Sequence, residues 1–249
     1  MPANYRKDVF TRYYETNAWG AASTRSGPGS EPSAARPYVD FVRTEILTNG
    51  VESITDLGHG DWVMWPVHFF AGLQYKGFDV VDGLSARMQA DYGTASIKFF
   101  EGDFLLQELP PADLLLCKEV LVHLSDIEIH QALNIAAKYP LSIFCHAVGK
   151  NPSIYGRVAQ LVSKVRQGVS IRTRFRQIFS RSSTVKGMDI AIDPALRAGG
   201  FRHIDLLDSK YQLGSHGLSV KKIRDFVPKG QSHSLTRIWL LVSDSSSFK

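Results

Sequence analysis

The stretch SITDLGHGDW, Ser53–Trp62, decides how this chain is read. It starts as a strand and then sets Asp56, Gly58, Gly60 and Asp61 close together. Acids and glycines are poor strand formers, so the strand stops there and the backbone turns. A glycine turn lets the backbone come close to a ligand, and in doubly wound sheets the first such turn is where a cofactor lies.

Outward from that turn the chain alternates. Tyr75–Val80, Ile97–Glu101, Asp113–Cys117 and Leu141–His146 read as further strands after Ser53–Leu57. The apolar stretch 62–72 predicts a helix closed by Gly72. Leu84–Tyr92 predicts one ended by Gly93, and Ser125–Lys138 one opened by a Ser125-x-x-Glu128 capping box. Upstream, Asp8–Tyr14 reads as a short helix, residues 20–37 as a Gly/Ser/Pro/Ala-rich loop, and the apolar positions from Tyr38 to Leu47 as a helix capped by Gly50. Strands alternating with helices argue for an α/β fold, a mostly parallel sheet with helices on both faces. Towards the end, 193–200 predicts a helix with Pro194 in its first turn. Phe201–Leu207 and Arg237–Ser243 then predict two strands, joined by a connection of about 30 residues, too long for a plain hairpin.

Composition narrows the class. Of 249 residues, 44% are hydrophobic and 21% charged, which suits a globular chain with a full core. No apolar run nears membrane-spanning length, and MPANYRKDVFTRYYE has no apolar signal-peptide core, so a cytoplasmic protein is expected. Cys117 and Cys145 sit in apolar runs as buried thiols; no paired Cys/His spacing suggests zinc, no tight carboxylate cluster demands a divalent metal, and no residue is assigned as a metal ligand. The net charge of +5 is local: residues 129–188 hold ten Lys/Arg and no Asp or Glu, so the remainder is net negative.

The acids are placed where ligand chemistry needs them. Asp79 ends the second strand, 21 residues after Gly58, where a carboxylate takes the hydroxyls of an adenosine ribose. Asp103 follows the third strand, placed for an adenine amino group, with Phe104 beside the ring. The nicotinamide pattern G-x-G-x-x-G fails at Val63. Asp56 and Asp61 would repel a pyrophosphate but suit a cationic ligand such as the sulfonium of S-adenosylmethionine.

DLGHGD, YKGFDVV, IKFFEGDF, ADLLLCKEVLVHLSD and AGGFRHIDLLD…TRIWLLVSD follow one another in an order that resembles the class I S-adenosylmethionine-dependent methyltransferases over residues 50–245. Trp62 departs from the third glycine many members carry. The resemblance implies a Rossmann-like, seven-stranded, mostly parallel sheet with an antiparallel last strand, in a single domain spanning 1–249. Within it, 1–50 would cover the cofactor, 51–150 bind it, 151–190 form a basic substrate-recognition insertion, and 191–249 supply the last helix and strands. Asp8–Gly20, Arg25–Ser30 and Val122–Ser125 further resemble a bacterial and viral subgroup, some of it associated with glycan modification. By that likeness Trp19, Gly27, Gly29 and Ser30 fold over S-adenosylmethionine, joining Asp56, Gly58, Gly60, Asp61, Asp79, Asp103, Phe104 and Lys118 as cofactor contacts.

Transfer to a hydroxyl needs a base for its proton. His123 is the candidate, its ordinary pKa being near neutrality, with Glu119 one helical turn earlier to orient it or to bind acceptor hydroxyls. A purely structural His123 is equally compatible with the flanking VLVHL. His146, Asn151 and the alternating Arg172, Arg174 and Arg176 are candidate acceptor contacts, the arginines suiting phosphate or carboxylate; a solvated basic surface is the alternative. The expected activity is O-methylation of a sugar or polysaccharide, a phosphate-bearing one accounting for the arginines. The alternatives are a methyltransferase for another small molecule or RNA, and a non-catalytic cofactor-binding module. No nucleic-acid-reading domain is evident.

Overall fold

The computed structural model describes residues 5–150, 200–231 and 234–245, without the side chain of Lys150. The elements in chain order are α1 (Tyr5–Thr16), α2 (Pro32–Asn49), β1 (Ser53–Leu57), β2 (Gln74–Asp79), α3 (Leu84–Tyr92), β3 (Ile97–Glu101), β4 (Leu114–Lys118), α4 (Asp126–Ala136), β5 (Leu141–Lys150), β6 (Leu218–Phe226) and β7 (Ser234–Ser243).

They form one seven-stranded sheet in the order β3-β2-β1-β4-β5-β7-β6. Strands β1 to β5 are parallel, and β7 runs antiparallel to both β5 and β6. β4, LLLCK, is buried throughout, as a strand covered on both faces must be. Its residues alternate between two cores: Leu114 and Leu116 pack with α2, Leu115 and Cys117 with α4. Cys117 and Cys145 are free, buried thiols on neighbouring strands. No helix among the described residues is long and apolar enough to cross a membrane.

Several predicted elements match in place. β1, β3 and α3 have the expected bounds, Gly50 caps α2 in the left-handed region, and Ser125 with Glu128 makes the reciprocal capping box of α4. Others are corrected. α2 begins at Pro32, inside the stretch read as loop, because Ala34 and Ala35 are buried against the core and Pro32 suits a first turn. Residues 62–72 are a chain of tight turns and not a helix. Trp62 and His68 take positive φ, and Pro66 lies between them. The apolar periodicity there comes from Trp62, Trp65 and Phe70: Trp62 stacks on Phe70 and Trp65 meets it edge-on, instead of lining a helix face.

The penultimate strand is Leu218–Phe226, not Phe201–Leu207. Residues 201–205 form no strand and 206–207 make a turn; the segment is tied by Arg202 N to Val122 O and by Ile204 N to Ala147 O. The supposed long connection therefore contains β6, and seven residues separate the end of β6 at Phe226 from the start of β7 at Ser234, of which 227–231 are described and form the β6–β7 loop referred to below. The predicted helix 193–200 lies, but for Gly200, outside the described residues.

Candidate active site

The sheet reverses its winding between β1 and β4, and a crevice opens there at the carboxyl ends of the strands. The cavity measures about 310 Å³. Its floor on one side is the glycine turn. Gly58 and Gly60 have φ of 72° and 63°, a region that side chains with a Cβ avoid. A Cβ on Gly58 would stand 2.5 Å from Val120 Cγ2, and one on Gly60 2.5 Å from Ser26 Oγ. Asp79 is bound into the turn: its carboxylate accepts the amides of Gly60 and Val81, both at 3.0 Å. Each oxygen keeps a lone pair, and the residue faces the cavity. His59 pins the turn to α3, with Nδ1 donating to Gly60 O at 2.7 Å and Nε2 accepting from Ser85 at 2.9 Å; burial lowers its pKa.

The amino-terminal segment closes the cavity from above. Asp61 accepts from Thr24 Oγ at 2.8 Å, the Arg25 amide at 2.5 Å and Ser26 Oγ at 3.0 Å, and Ser26 Oγ meets Tyr14 OH at 2.6 Å. Asp61 thus lines the cavity while its oxygens hold the 24–26 loop. Arg6 of α1 bonds Asp103 at 2.6 Å and also Glu128 of the capping box, and Lys7 pairs with Asp82 and Glu101. Trp19 stacks with Phe10 and meets Tyr13 and Tyr14 edge-on. The half-buried Arg6 anchor had no sequence signal beyond a basic residue near a helix start.

Beyond β4 the backbone is strained. Glu119 has φ of 56°, unusual for a residue with a side chain, and its amide donates to Cys145 O at 2.7 Å. Its carboxyl, desolvated in the cavity wall, is pushed above the usual glutamate range. The expected helical turn from 119 to 123 is instead this left-handed residue followed by a 3₁₀ turn, Leu121–His123. His123 still reaches the cavity. Its Nδ1 lies 2.6 Å from Gly200 O; a carbonyl only accepts, so Nδ1 carries the proton and Nε2 keeps its lone pair. Burial lowers its pKa, so the ring is neutral at neutral pH. Phe10, Trp19 and Phe201 surround it with ring centroids 5.4, 5.9 and 6.1 Å away.

The cavity brings together Trp19, Gly27, Gly29, Ser30, Gly58, Gly60, Asp61, Asp79, Asp103, Phe104, Lys118, Glu119 and His123. Asp56 is not among its lining residues. It is buried and accepts from Tyr75 OH at 2.6 Å, which accepts in turn from Trp62 Nε1 at 3.0 Å; burial pushes the carboxyl up to about 7. His146 is also off the cavity, fully buried against Trp239, with its pKa pushed down to about 3. Asn151, Arg172, Arg174 and Arg176 lie outside the described residues.

No family model and no curated protein matches the sequence. The structure matches many solved ones. Magnesium protoporphyrin IX methyltransferase (ChlM) from Synechocystis PCC 6803 with bound SAH aligns over 97% of each chain at 15% identity, with a TM-score of 0.57. The N-methyltransferase NodS from Bradyrhizobium japonicum WM9, in complex with S-adenosyl-L-homocysteine, aligns over 96% of this chain and 98% of its own at 11% identity, with a TM-score of 0.57. The fold is that of the class I methyltransferases.

The same class I fold is shared by the [4+2]-cyclase SpnF, at 12% identity over 86% of this chain and 82% of its own, with a TM-score of 0.54. The fold alone therefore does not select the reaction, and function has to be argued from the side chains in the crevice. Sequence reading missed Arg6, His59, Gly200 and Gln231, four residues that the fold brings to the site from four separate segments. His59 and Gly200 lie inside the quoted DLGHGD and AGGFRHIDLLD stretches, but nothing in those patterns marked them out; Arg6 and Gln231 carry no motif.

Proposed function

We propose that this chain is an S-adenosylmethionine-dependent O-methyltransferase whose acceptor is a hydroxyl of a sugar or polysaccharide. The observation that carries the reading is a neutral His123 with a free Nε2 lone pair, in one cavity with the glycine turn and Asp79.

The residues present fit the cofactor. Asp79 has lone pairs left for two ribose hydroxyls, and Phe104 offers a face to the adenine. Asp103 stands beside it, shared with Arg6. The glycine turn is closed to any side chain and brings backbone to the crevice. Bound there, S-adenosylmethionine supplies an electrophilic methyl carbon. The protein's part is to align the acceptor oxygen and remove its proton. His123 takes that proton at Nε2, and Gly200 O, bonded to the opposite Nδ1–H, steadies the imidazolium that forms. Phe10, Trp19 and Phe201 offer flat apolar faces on which the C–H face of a sugar ring stacks, while excluding water from the base. The basic 151–190 segment completes acceptor recognition within a single domain.

Calorimetric titration with S-adenosylhomocysteine and with NADH tests this first. Micromolar binding of the former alone, lost in Asp79→Ala, is the expected result. Absence of binding by S-adenosylhomocysteine overturns the reading.

A further inference from the structure

Two of the lining residues have basic side chains of the Lys/Arg type, Arg6 and Lys118. Arg6 is neutralised by Asp103 and Glu128. Lys118 forms no ion pair among the described residues; its Nζ donates to Ser30 Oγ at 3.3 Å, and the residue is 9% exposed. An ammonium this buried needs an anion or several acceptors. Close by, after β6, Gln231 Nε2 is buried and has no hydrogen-bond partner among the described residues. The two donors converge: the point where a Cβ on Gly29 would stand is 3.7 Å from Lys118 Nζ and 3.8 Å from Gln231 Nε2. Glu119 reaches the same point with its Cγ methylene, at 3.8 Å, with the Ala147 amide beside its carboxyl.

We propose that Lys118, Gln231 and Ser30 form a carboxylate-binding subsite for the acceptor, whose substrate class is then a sugar acid of the uronate type. Two unspent donors spaced around an open point suit the two oxygens of one carboxylate, and hydrogen bonds to an ionised acceptor are the strong ones. The sheet order assigns the subsite to the acceptor. Gln231 belongs to the β6–β7 loop, on the far side of β4 and β5 from the turn and Asp79 on β1 and β2. This inference rests on the methyltransferase reading for its acceptor, but it is tested apart from it.

The protein, saturated with S-adenosylhomocysteine, is titrated calorimetrically with D-glucuronate and with D-glucose. Glucuronate is expected to bind more than about tenfold tighter than glucose. Gln231→Leu, on a surface loop, and Gly29→Ala, whose methyl fills the convergence point at an ordinary φ, are each expected to reduce that preference below about threefold. Equal binding of the two sugars, or none of either, overturns the subsite. So does an undiminished preference in both variants. A loss, in Gln231→Leu, of the advantage of S-adenosylhomocysteine over 5′-methylthioadenosine gives the donors to the cofactor's own carboxylate and overturns the acceptor assignment. If S-adenosylhomocysteine does not bind the wild-type protein, the methyltransferase reading falls, and the glucuronate titration of the unliganded protein still reads the subsite.

Discussion

At the scale of single residues, two titratable groups near the site pull in different directions. Asp56 is held by Tyr75 in a dry core, its carboxyl raised from 3.8 to about 7. Between those values the folded chain keeps a proton that the unfolded chain releases, so this group lowers stability as pH rises through the window. The buried His146, pushed down to about 3, acts oppositely: between 3 and 6.5 the unfolded chain binds the extra proton, and stability rises with pH. Asp56→Asn keeps an acceptor for Tyr75 and removes the titration. Its stability in urea, relative to wild type, is expected to improve from pH 5 to pH 8, with S-adenosylhomocysteine affinity unchanged because Asp56 is off the cavity. A constant difference between the two pH values would show that Asp56 does not titrate there. His123 gives the second test. As a base it must be neutral, and its pKa lies below the free-imidazole 6.5, so kcat/KM is expected to stay level below pH 6.5 before its acidic limb falls. His123→Gln is expected to lower kcat by about 10²–10⁴ with S-adenosylhomocysteine binding retained. Activity near wild type in that variant removes His123 from the chemistry.

At the scale of elements, what was legible and what was not divide on how the element is stabilised. β1, β3, α3 and the capping box of α4 were readable because local pattern and tertiary burial agree. The turn chain 62–72 was misread because aromatic clustering imitates a helical stripe, and only the positive φ at Trp62 and His68 reveals otherwise. β6 was missed because LSVKKIRDF is exposed along most of an edge strand and lacks the alternation of a half-buried one. The roof formed by α1 and the 20–31 loop was anticipated by resemblance, but its fasteners were not, since Arg6–Asp103 and Thr24–Asp61 join residues far apart in sequence. Those fasteners set a prediction. Asp61→Ala removes the acceptor of three groups in 24–26, so trypsin cleavage after Arg25 is expected to accelerate about tenfold, and affinity for S-adenosylhomocysteine to fall by a similar factor. Cleavage at the wild-type rate would mean that the loop is held by something other than Asp61.

At the scale of the whole molecule, the cavity is walled by parts that meet only in the folded state: α1, the glycine turn, the β4 end, Phe201 and the β6–β7 loop. A ligand that touches all of them binds the folded chain and not the unfolded one, so it must stabilise the fold by mass action. At about 100 times its Kd, S-adenosylhomocysteine is expected to add about 2.7 kcal/mol. For a chain of this size each kcal/mol moves Tm by about 2–4 °C, which predicts a rise of roughly 5–11 °C in a thermal melt. The rise should be absent with NADH and lost in Asp79→Ala, which removes a carboxylate from the turn without touching the roof. A second comparison tells where the stabilisation comes from. If ligand contacts with the roof matter as much as those with the turn, Trp19→Ala, which leaves Asp79 and the glycines intact, should cut the shift at fixed ligand concentration. An unchanged shift in Trp19→Ala, with the loss in Asp79→Ala retained, would place the cofactor on the turn alone and leave Trp19 to the acceptor.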